Sequence, residues 1–168
     1  MKKIFLLSFL FSVNFYFSQN HKETVIRQAT EMRKYFMEKN YNAYSNYVYE
    51  GVIKMFGNKQ KMINTSVEAI DKMNTSGYIF KKVDFSEVGD IIPIKNELQT
   101  VVHQKIEMET PKGNMSGDHY LIAISKDNGK LWKFIDTSGK DIETVRKYFP
   151  NLSSKLFIPK KKMTKKTI

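Results

Sequence analysis

The sequence predicts an α+β domain: three N-terminal helices packed on one face of a mainly antiparallel sheet, closed by a short C-terminal helix. Three observations predict it. Apolar residues recur at helical spacing up to Met73, and after Gly77 the period changes to two. Segregation of helices from strands favours helices layered on a sheet rather than alternating with its strands. Residues 97 to 109 alternate apolar with polar positions, the pattern of a sheet with one buried and one solvated face.

The elements follow in order. Met1-Lys2-Lys3, an apolar run over residues 4 to 17 and Ser18-Gln19-Asn20 have the n-region, h-region and small-residue cut of a signal peptide. The run is shorter than the ~20 residues that span a bilayer. The expected domains are therefore a signal peptide at 1–18, a folded domain at 19–159 and a disordered polybasic tail at 160–168. The expected location is the periplasm or the outside of a bacterial cell. Asn20 with Glu23 forms a capping box, so helix one is expected over residues 21 to 39, with Val25, Ala29, Met32 and Phe36 on one face. Residues 41 to 55 suit a second helix. Gly57-Asn58 breaks it, and Met62, Ile63, Val67, Ile70 and Met73 mark a third. Strands are expected at 78–87, 97–109, 115–125 and 131–136, and a last helix at 141–148. In the longest strand Thr100, Val102, Gln104, Ile106 and Met108 face one way, and Val101, His103, Lys105 and Glu107 the other. Asp127-Asn128-Gly129 is a hairpin signal between the last two strands.

Composition bounds the function. The chain carries a net charge of +11 and no cysteine, so packing without disulfides must hold the fold. Seven lysines lie in the first three and last nine residues. Without them 21 basic residues face 17 acidic ones, and the folded part carries only +4. A nucleic-acid partner is not expected, whereas the tail is placed to touch anionic surfaces. No metal or cofactor is expected: His21, His103 and His119 are dispersed, and only Asp118-His119 are adjacent. Phosphate loops and nucleophile-elbow motifs are absent, and no serine has a recognisable catalytic context. Ser125 to Trp132 matches the Asp-box pattern S-x-D-x-G-x-x-W, which reads as a structural turn.

Residues 47 to 63, residues 120 to 136, Phe149-Pro150 and Ile158-Pro159 together resemble the nuclear transport factor 2-like superfamily, whose α+β cone is also described as SnoaL-like or cystatin-like. Within it the chain is similar to small exported bacterial members. The resemblance implies a curved sheet whose concave face is covered by the helices, with a pocket between them, and a homodimer paired through the outer face. Ligand-binding residues are then expected at Tyr44, Tyr47, Gln104, Tyr120, Trp132 and Phe134. Asp136 and Asp118 are the candidate carboxylates for a general base, since desolvation raises a carboxyl pKa. The expected function is non-catalytic binding of a small apolar ligand or a protein partner. The alternative is a cofactor-free isomerase, dehydratase or cyclase.

Overall fold

In a computed structural model, the structure describes residues 3–159 and 163–165, with side chains described over 20–159. Helix α1 spans Lys3–Met37 and runs through Asn20, so the capping box expected there does not start a helix in this chain. A cap forms only where no preceding turn exists to supply carbonyls. The side chains of the expected signal segment lie outside the described residues. Lys39 ends the helix in the left-handed region at φ 59°, and Asn40 N–H returns to Tyr35 O at 2.8 Å.

The second expected helix is two helices, α2 at Tyr41–Ser45 and α3 at Glu50–Met55. The break is a tertiary effect. Val48 makes a parallel bridge to Phe134, Tyr49 N–H donates to Phe134 O at 3.0 Å, and Phe134 N–H donates to Tyr47 O at 2.7 Å. Those bonds cover the edge of the last long-sheet strand, which outweighs continued helix. Helix α4, Lys59–Thr75, starts at Asn58, whose side chain accepts from Lys61 N–H.

The sheet strands are β1 (Ile79–Val88), β2 (Ile92–Ile94), β3 (Glu97–Thr110), β4 (Gly113–Ser125), β5 (Lys133–Asp136) and the short β6 (Met163–Lys165). Their order is β1-β3-β4-β5, with every pair antiparallel. β2 continues along β3 beyond β1, and β6 pairs with the start of β4. The expected polybasic tail lies outside the described residues except for the backbone of β6. Helix α5 spans Ile142–Tyr148, capped by Asp141.

Two cores flank the sheet. On the inner face Val25, Ala29 and Met32 of α1 pack on Val102, Leu121, Ala123, Trp132 and Phe134. On the outer face Val101, Ile122, Ile124 and Ile135 are covered by Ile142 and Val145 of α5 and by Leu152 and Leu156. Here the structure differs from the one-sided sheet that alternation predicts. The outward apolar positions of β4 and β5 are buried because the C-terminal segment folds back over them.

The Asp-box turn docks on α1. Ser125 Oγ donates to Asp127 Oδ1 at 2.8 Å and accepts from Gly129 N–H at 2.9 Å, while Leu131 N–H donates to Asp127 Oδ1 at 2.9 Å. Asn128 and Gly129 take φ of 58° and 82°. Gln28 of α1 bridges the turn: its Nε2 donates to Lys130 O at 2.7 Å, and its Oε1 accepts from Trp132 N–H at 2.8 Å. Leu131 and Trp132 therefore belong to the turn, and β5 starts two residues later than expected.

Candidate functional site

A cavity of about 330 Å³ lies between the helices and the inner face of the sheet. Its wall is mainly apolar, with Met32 and Phe36 from α1, Met62 from α4, and Phe85, Leu121 and Phe134 from the sheet. Arg33, Tyr44, Ser66, Gln104, Asp136 and Ser138 supply its polar atoms. Strand alternation puts Gln104 there, between Val102 and Ile106 on the inward face of β3. The break after α2 turns Tyr44 toward the same space.

These polar groups are not equivalent. Arg33 is engaged: Nη1 donates to Val83 O at 2.6 Å and lies 3.4 Å from Asp84 Oδ1. Ser66 Oγ donates to Met62 O at 2.8 Å. Asp136 is exposed, and its Oδ1 accepts from Ser138 N–H at 2.6 Å, which makes it a turn cap at the cavity rim. By contrast, the Gln104 amide and the Tyr44 hydroxyl have no hydrogen-bond partner among the described residues. Burial pushes the Tyr44 hydroxyl up to about 12, and the Asp136 charge adds to the shift.

Of the six residues expected at the pocket, Tyr44, Gln104 and Phe134 line it. The other three do not. Trp132 is fully buried in the inner core, with Nε1 donating to Gly129 O at 3.1 Å. Tyr47 turns away to Glu31, with its hydroxyl 2.7 Å from Oε2, and stacks on Tyr35. Burial and that carboxylate push Tyr47 up to about 12 as well. Tyr120 lies on the outer face, where it packs against the outer core. Asp118 is there too, so it cannot act as a base in the cavity. Even numbers point outward on β4 and inward on β3, because the antiparallel register pairs Gln104 with His119.

The outer face holds a grouping the sequence did not suggest. His103 Nε2 lies 2.9 Å from Asp118 Oδ1, and its Nδ1 lies 2.7 Å from Ser86 Oγ. His103 was expected on the solvated face; it is half-buried there, against the Tyr120 ring. Ser86 reaches it through a β-bulge. Between the register pairs Phe85–Gln104 and Val88–Val102, Ser86 and Glu87 together oppose His103 alone. Beside this row runs a second cavity of about 490 Å³, between the outer face, the β1–β2 connection and residues 155 to 159. Compared with protein-family models, curated proteins and solved structures, the chain matches none.

Proposed function

We propose that the domain binds a small, mainly apolar ligand in the inner cavity, without catalysis, and that it does so after export. The observation that carries the reading is the pairing of an apolar wall with two polar groups that lack protein partners, the Gln104 amide and the Tyr44 hydroxyl. Both groups face the cavity space, where a ligand oxygen can take the place of water for a net gain of about 0.5–1.5 kcal/mol per hydrogen bond. The volume sits at the low end of the roughly 300–1,000 Å³ range of ligand sites. The ligand class is thus a compact apolar body carrying one carbonyl or hydroxyl. Asp136 is unsuited to act as a desolvated base, because it is exposed and caps its own turn. The export half of the reading rests on the basic, apolar and small-residue order of residues 1 to 20. Among the described residues no helix is long and apolar enough to cross a membrane.

The neutral dye N-phenyl-1-naphthylamine tests the cavity. The expected result is saturable fluorescence enhancement at one site, lost in Ser66→Phe, which fills the cavity from α4. A folded protein that leaves the dye dark, or a Ser66→Phe variant that binds it unchanged, would overturn the reading.

A further inference from the structure

We infer that Ser86, His103 and Asp118 form a nucleophilic site on the outer face, and that its substrate class is an ester with a small apolar acyl group. The proton arrangement follows from the bonding. A carboxylate can only accept, so the contact at 2.9 Å places a proton on His103 Nε2. Nδ1 then holds its lone pair toward Ser86 Oγ at 2.7 Å, which is the geometry of a base poised on a hydroxyl. The ring is used in the opposite sense from the familiar Ser–His–Asp arrangement, with the serine on Nδ1 and the carboxylate on Nε2. Either ring nitrogen can take the proton, so the chemistry is the same.

Three further observations support a site rather than a surface contact. Ser86 is exposed, as a nucleophile must be, while the His103 and Asp118 side chains are partly covered, at 19% and 31% exposure. The bulge that presents Ser86 is a device that re-aims side chains and recurs beside active sites. Finally, His103 lines the 490 Å³ cavity, whose walls include Ile92, Val101, Tyr120, Leu156 and Phe157, an apolar seat for an acyl chain.

The reaction balances with water as the only co-reactant. Ser86 Oγ bonds to the ester carbonyl carbon, and its proton passes to His103 Nδ1. Collapse breaks the bond to the alcohol oxygen, which leaves with that proton. Water then adds to the acyl-Ser86 carbon through the same base, releasing the acid and restoring the serine hydroxyl. Ser86 is the nucleophile and His103 the base, while Asp118 is a positioning residue that acts through the imidazole. The other titratable groups around His103 are Glu87 and Asp90 from β1 and its following turn, Lys105 on β3, Tyr120 on β4 and Lys155 from the C-terminal segment.

The test is labelling of the full chain by an alkyl fluorophosphonate, read by intact mass and peptide mapping. The expected result is one adduct, at Ser86, absent in Ser86→Ala and slowed about 100-fold in His103→Gln, the scale of lost general-base assistance. Asp118→Asn is expected to slow labelling, because the imidazole loses the acceptor that fixes its tautomer, and Asp118→Glu, which keeps an anionic acceptor, is expected to recover most of the rate. A purely structural role for Asp118 would leave the Asn and Glu variants equally slow. Ser66→Phe, on the opposite face, is expected to label normally, so failure of the inner-cavity reading is distinguishable. A folded chain with Ser86 unlabelled, or labelled at an unchanged rate in His103→Gln, overturns the inference.

Discussion

Tyr44 shows how a single residue carries both packing and chemistry. Its hydroxyl titrates near 10 when solvated and at about 12 in the fold, raised first by burial and then by Asp136. The folded state therefore holds the proton more tightly than the unfolded chain. The resulting stabilisation is fully present below pH 10 and is lost as pH rises through about 12. A change of that size corresponds to at most about 3 kcal/mol. Urea unfolding of wild type and Tyr44→Phe on either side of that window checks this: the variant is expected to lose less stability on alkalinisation. How far single residues could be read from the sequence followed strand parity. Gln104 was legible because it interrupts an apolar row, and Asp136 because it shares parity with Phe134. Ser86 was not, since its meeting with His103 depends on one extra residue in β1, and a bulge leaves no mark in the alternation of either strand.

At the scale of elements, helices and strands were legible from period, whereas their interruptions were not. Residues 41 to 55 keep a helical pattern throughout, yet the backbone opens at Tyr47–Val48 because the β5 edge needs partners. No local signal encodes that need. The docking of the Asp-box hairpin on α1 is a similar case, as it depends on a buried amide, Gln28, at 5% exposure on a helix face otherwise read by its apolar members. Replacing Gln28 by Ala would strand the Trp132 N–H and the Lys130 carbonyl. The expected cost is about 1–3 kcal/mol. Since Trp132 is the only tryptophan, thermal melting followed by its emission reads the loss directly, as a lower midpoint.

For the whole molecule, the decisive feature is that a cysteine-free chain covers both faces of its sheet. The α1 helix covers one face. The other is covered by α5 and the segment after it, which are held by hydrogen bonds rather than by disulfides. Gln99 is fully buried on β3; its Oε1 accepts from Ser153 N–H at 2.8 Å, and its Nε2 donates to Asn151 O at 3.3 Å. Arg146 of α5 adds Nη2 contacts to Ser153 O at 2.8 Å and Leu156 O at 3.1 Å. Together they fix Leu152 and Leu156 over Ile122 and Ile124, with the groove beside His103 left open among the described residues. Replacing Gln99 by Ala leaves the Ser153 N–H buried without its acceptor, at a cost of about 1–3 kcal/mol. Because the clamp is local, its release is expected to open the C-terminal segment before the sheet. Hydrogen–deuterium exchange should then show protection falling over residues 151 to 156 while β3 and β4 stay protected. Equal loss across all three would mean that this segment is not a separate cover but part of one indivisible core.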